Sequence, residues 1–192
     1  PDNFSNGAYI NIPLDEMISV TKDAITKGYS VLWDADVSNT GFMQDKGIAM
    51  LTDTAINGFN KLTLRKISVA DTQHRAGNID RELKKKMEQD GTAVVNPMFE
   101  NGGPREAIWD AGLRQELFED LVTQDDHLMH IVGLEKSPDA KDFFIVKNSW
   151  GNVGPDKGYI HVSEAYFAIN TITLIVPKAA LSSIMLEKMR VK

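Results

Sequence analysis

The chain has 192 residues, 42% of them hydrophobic, with 27 acidic against 21 basic side chains (net charge −6) and no cysteine. That is one ordinary domain or a piece of a larger one, and the composition excludes disordered and fibrous classes. The missing cysteine excludes a disulfide framework, a thiolate zinc site and a cysteine nucleophile on this chain. The acidic balance argues against a nucleic-acid surface, and no apolar run reaches the roughly 18 residues of a membrane span.

The segment Pro1–Gly7 reads as a loop. A start without Met or a leader-like stretch reads as a chain processed or cut from something longer. Leu14, Met17, Ile18, Val20, Ala24 and Ile25 form a helical stripe over Leu14–Lys27, closed by Gly28. Tyr29–Val37 then reads as a strand, and Ser38–Leu51 as turns around short extended pieces. Within Thr52–Gln124 the pattern is less regular. Asp80–Gln89 is a charged helix candidate whose Lys84–Lys86 run reads as a solvated face, and Asn101–Pro104 is a loop signal. Glu106–Asp120 is a second helix candidate, with Ile108, Trp109, Leu113, Leu117 and Phe118 on one side. The last third is β: strands are predicted at His127–Leu134, Phe143–Lys147, Gly158–Val162 and Thr171–Val176. Ser137–Asp139 is a turn between the first two, Ser163–Phe167 is a short turn or helix, and Leu181–Lys192 is a mixed tail. Trp33, Ile131, Phe144, Val146, Ile160, Val162 and Ile172 are the expected core.

Four histidines limit the chemistry: His74, His127, His130 and His161. His74 lies in a polar stretch and His161 on a strand, which makes them surface and structural residues. The cluster Asp125–His130 invites a metal reading, but His127 and His130 are an odd number of residues apart and face opposite sides of a strand. No metal or cofactor is therefore expected. As a general base, His127 needs a group to orient its ring, and an amide serves as well as a carboxylate. Asn148, at the end of the next predicted strand, is the candidate, with Trp150 placed to shield a His–Asn hydrogen bond. From spacing alone, the reading of Asn148–Gly151 as a turn beside a core tryptophan is the stronger one.

The motifs decide between those readings. His127-Leu128-Met129 with Gly133, then Val146-Lys147-Asn148-Ser149-Trp150-Gly151, then Gly158-Tyr159 resemble the C-terminal half of papain-like cysteine peptidases. Tyr9–Asp15, Asp34–Ser38, Gly41-Phe42, Arg114–Phe118, Asp125–His127 and Thr171–Leu181 are similar to the bleomycin hydrolase/aminopeptidase C branch. The resemblance implies an α+β fold: mainly the antiparallel β-barrel-type C-terminal domain, with inserted helices. All of 1–192 would be the His/Asn-bearing part, 52–124 a family-specific insertion, and the cysteine-bearing N-terminal half absent. It implies that His127 is the catalytic base, Asn148 its orienting residue and Trp150 the indole over it. Asp126 stands where many members have threonine. As the neighbour of His127 on a strand, it is expected to point away from the ring. The basic end, Met189–Lys192, departs from the arm that makes the family's aminopeptidases selective.

The whole protein would then be a cysteine aminopeptidase that hydrolyses peptides from the N-terminus by Cys-His-Asn acyl transfer, with this chain inactive by itself. Its expected partners are peptide substrates, the missing half or a partner chain, and further copies in a homo-oligomer, with no membrane and no nucleic acid. The location is cytoplasmic, or exported if a signal went with the missing half. The alternative is an inert binding or partner module derived from the same fold. A zinc hydrolase built on Asp125–His130, testable by chelation, is a third reading. Asn3-Phe4-Ser5 also matches a glycosylation sequon.

Overall fold

A computed structural model describes residues 9–52, 106–138 and 140–189. The chain divides into two units, one made of Pro1–Leu51 with Ile108–Lys192 and the other of Thr52–Ala107. In the second, the described residues form one antiparallel bridge between Thr52 and Glu106. The charged helix expected over Asp80–Gln89, the loop at Asn101–Pro104, His74 and the sequon lie outside the described residues. So do Asp139 of the Ser137–Asp139 turn and the last three residues of the tail.

The first unit opens with α1 (Leu14–Thr26), which buries Met17, Ile18, Val20 and Ala24 of the expected stripe together with Thr21, while Leu14 and Ile25 are half-buried. Asp15 and Glu16 sit in its first turn, where the helix dipole favours negative charge. Its last carbonyls are closed by Gly28 N–H on Ile25 O and Tyr29 N–H on Ala24 O, both near 3.0 Å or below, the pairing of a Schellman stop. There follow β1 (Val31–Ala35), β2 (Phe42–Met43), a 3-10 turn over Gln44–Lys46, β3 (Ile48–Ala49), α2 (Ala111–Glu119), β4 (His127–Lys136), β5 (Asp142–Lys147) and β6 (Tyr159–Ser163). The unit ends with α3 (Glu164–Asn170), β7 (Thr171–Ile175) and α4 (Ser183–Lys188).

The strands form one curled half-barrel sheet in the order β2-β3-β6-β5-β4-β1-β7. Every pairing is antiparallel except β3 with β6. α1 packs against β4 and β1, and α3 against β5 and β6. Trp33, Ile131, Phe144, Val146, Ile160 and Val162 are fully buried in this core, as expected. Ile172 is only half-buried. It lies on the edge strand β7, where Thr171 takes the interior place, its hydroxyl accepting from Trp33 Nε1 at 2.8 Å. No helix among the described residues is long and apolar enough to cross a membrane.

Helix α2 starts five residues later than its periodicity predicts. Asp110 sets the start, because its side chain accepts from Leu113 N–H at 2.7 Å and caps the first turn. Ile108 is left ahead of the helix and almost fully exposed, and Phe118 is exposed, while Leu117 is buried. Polar contacts join the buried Leu117 in holding α2. The Arg114 guanidinium donates to Ala168 O at 2.8 Å, Ile169 O at 3.1 Å and Thr171 O at 2.5 Å, satisfying carbonyls at the end of α3.

Candidate active site

Register brings the first two site residues together. In the β4–β5 ladder, His130 stands opposite Lys147 and Ile131 opposite Val146. One more step in the same direction sets Asn148 opposite Met129, two residues from His127 and on its face of the sheet. Residues so placed are diagonal neighbours, within reach of long side chains. His127 Nε2 lies 2.8 Å from Asn148 Oδ1. Asn148 is buried, and its Oδ1 also accepts from Ser149 N–H at 2.7 Å.

Trp150 lies over the His127 ring, the centroids 4.9 Å apart and the planes 34° from parallel. Phe42 meets the same indole edge-on at 5.9 Å. The other side of Trp150 faces solvent at 46% exposure, so the indole is a cover over the histidine rather than a core side chain. That removes the reading of Asn148–Gly151 as a turn beside a core tryptophan.

The other histidines stand apart. His130 is exposed on the opposite face of β4, as strand alternation requires. His161 contacts two carboxylates, with Nδ1 2.5 Å from Glu135 and Nε2 3.2 Å from Asp156. Asp126 is tied to the end of β1, its Oδ2 accepting from Val37 N–H at 3.1 Å. Among the described residues, no group of three or more histidine and carboxylate side chains is arranged to hold a metal ion.

Two features escape sequence reasoning. Gln44, in the turn after β2, is buried, and its Oε1 accepts from Asn148 Nδ2 at 2.8 Å. Its position in a polar turn gave no signal, because the partner is 104 residues away. The second is a carboxyl pair beside the histidine strand. The β1–β4 register sets Asp34 against Leu128, near Asp125. Burial first, and then the Asp125 charge and hydrogen bond, push the Asp34 carboxyl up to about 6 from an ordinary 3.8.

The sign of the pH effect follows. Between pH 4 and 6 the folded chain holds a proton on Asp34 that the unfolded chain has released. Stability therefore falls as pH rises through that window, and the deficit persists above it. Asp34→Asn keeps a donor toward Asp125 and removes the charge. It is expected to raise Tm at pH 7.5 by about 5 °C, reflecting roughly 2 kcal/mol, and to leave Tm at pH 4 nearly unchanged. Thermal melts at the two pH values check this, and an equal gain at both would contradict it.

Comparison with known proteins places this arrangement. The family model described as papain family cysteine protease matches residues 51–174. The crystal structure of PepW from Lactobacillus rhamnosis HN001 superposes with a TM-score of 0.54 at 18% identity, covering 94% of this chain and 30% of that one. The bromelain protease from Ananas comosus gives a TM-score of 0.35 at 15% identity, covering 85% of this chain and 45% of that one. The chain thus spans less than a third of the length of PepW and under half that of bromelain. No curated protein matches it. With the family match extending over more than half of its length, the chain belongs to the papain family of cysteine proteases.

Proposed function

We propose that this chain is the His/Asn-bearing part of a cysteine aminopeptidase similar to bleomycin hydrolase, with His127 as its acid–base residue and Asn148 as its orienting residue. The observation that carries the reading is the 2.8 Å contact between His127 Nε2 and Asn148 Oδ1 under the Trp150 indole. The aminopeptidase specificity rests on the sequence resemblance to that branch. The nucleophile comes from a cysteine-bearing half on the same or a second polypeptide, since this chain holds no cysteine.

The chemistry then runs in two halves. A cysteine beside the protonated ring of His127 is favoured as thiolate. The thiolate adds to the peptide carbonyl carbon, and the tetrahedral oxyanion collapses with cleavage of the C–N bond. His127 gives its proton to the departing amine, leaving a thioester. A water molecule adds to the thioester carbon and gives its proton to His127. Collapse expels the thiolate and releases the carboxylic acid. Asn148 holds the ring through both halves by accepting from Nε2–H, so that Nδ1 faces the cleft.

The test uses the chain assembled with its cysteine-bearing half, on aminoacyl-coumarin substrates with free and acetylated amines. The free-amine substrate is expected to turn over at least tenfold faster, and Asn148→Ala to lower kcat/KM about 100-fold. Equal rates on both substrates would reject the aminopeptidase reading and leave a cysteine endopeptidase. A complex that binds peptide without cleaving it would support the other reading, an inert partner module, which the absence of cysteine favours.

A further inference from the structure

The Asn148 amide is held from both ends, and the outer end is Gln44. The chain of contacts has an unambiguous polarity, because each terminus is a backbone group. Ser149 N–H can only donate, so the atom it meets at 2.7 Å is Asn148 Oδ1. Asn148 Nδ2 then donates to Gln44 Oε1 at 2.8 Å. Val153 C=O can only accept, so the Gln44 atom facing it, at 3.4 Å, is Nε2. The two ends agree on one orientation for both amides. In that orientation Asn148 offers His127 an acceptor, so the shared proton belongs to His127 Nε2 and the neutral ring has a bare Nδ1.

The backbone around Gln44 is built for this contact. A Cβ on Gly154 would lie 2.3 Å from Gln44 O, and Gly154 has φ +83°. The loop after Asn148 can close onto Gln44 only with glycine there. The segment leading to Gln44 is anchored by Asn39, whose Nδ2 donates to Tyr166 OH at 2.8 Å and to Asn170 Oδ1 at 3.1 Å. Tyr166 OH in turn donates to Asp36 O at 2.9 Å. Gln44 is therefore presented by a rigid support rather than by a free loop.

We infer that Gln44 is a positioning residue, which fixes the orientation of the Asn148 amide and through it the tautomer of His127. In the assembled enzyme this role rests on the function proposed above. The tautomer itself does not depend on that reading. A hydrophobic residue at position 44 would leave Asn148 Nδ2 buried without an acceptor, favouring rotation of the amide away from His127. Glutamate would keep the acceptor while losing the donor to Val153 and adding a negative charge.

The experiment is ring-nitrogen NMR of His127 in the 15N-labelled 192-residue chain at pH 8, with Gln44→Met and Gln44→Glu beside it. The unsubstituted chain is expected to show a single tautomer, protonated at Nε2, and an Asn148 side-chain amide protected from hydrogen exchange. Gln44→Met is expected to mix the tautomers and speed exchange of the Nε2 proton at least tenfold, with Gln44→Glu restoring most of the bias. An unchanged tautomer in Gln44→Met would overturn the inference. So would an unprotected Asn148 amide in the unsubstituted chain, an observation that needs no variant to fold. In the assembled enzyme, Gln44→Met is expected to lower kcat about tenfold with KM unchanged. If the unsubstituted assembly is inactive, the proposed function fails while the tautomer result stands.

Discussion

His127→Ala, in the chain assembled with its cysteine-bearing half, is expected to lower kcat/KM by about 10,000-fold. Two losses combine. Alanine removes the cation that favours the thiolate, so the nucleophile reverts toward an ordinary thiol. It also removes the proton donor for the departing amine and the acceptor for the attacking water. The substitution is mild for the fold, because His127 is the first residue of β4 and only partly buried. Steady-state kinetics on a free-amine substrate, with circular dichroism as the folding control, measure the effect. His130→Ala is the comparison. That side chain faces the other way from the same strand, and its removal is expected to leave kcat within twofold. Equal losses in the two variants would remove His127 from the chemistry.

Gly158→Ala is expected to be the most damaging single methyl in the first unit, costing about 3 kcal/mol or more. Gly158 has φ +88°, and a Cβ there would meet Gly151 O at 2.0 Å and Lys147 Nζ at 2.8 Å. The lysine end can move aside, whereas the Gly151 carbonyl belongs to the loop itself. That loop is closed by Gly158 N–H on Val153 O at 2.9 Å and by Asn148 N–H on Gly158 O at 3.0 Å. Displacing Gly158 therefore moves Asn148 as well. Stability, by urea titration, and kcat are expected to fall together. Normal stability with normal kcat would show that the loop relaxes without disturbing Asn148.

The pair at the centre of the site was legible because it sits in a distinctive motif. Asn148-Ser149-Trp150-Gly151 with Gly158-Tyr159 identifies the loop, and His127 falls on the neighbouring predicted strand, where antiparallel pairing can set it beside Asn148. The core was legible for another reason, since apolar residues on paired strands bury at a period of two. Gln44 was not legible. A glutamine in a turn is ordinary, and only the closure of the sheet brings it to Asn148. The Asp34–Asp125 pair is hidden in the same way, because pairing of β1 with β4 creates it. Helix α2 shows a different limit. Ile108 and Phe118 fit a helical period, yet Asp110 caps the chain after Ile108, and Arg114 rather than an apolar stripe ties the helix to α3. Ile172 fits a core pattern but lies on the edge strand, where Thr171 serves as Trp33's partner.

The most direct test of the central claim is the pH dependence of cysteine alkylation in the assembled enzyme. If His127 faces a nucleophilic thiol, a single cysteine should react rapidly with iodoacetamide well below pH 7. His127→Ala should move the inflection up toward the ordinary thiol value near 8.5. A thiol that already titrates near 8.5 in the unsubstituted enzyme, and is unmoved by His127→Ala, would contradict the pairing of this chain's histidine with a catalytic cysteine.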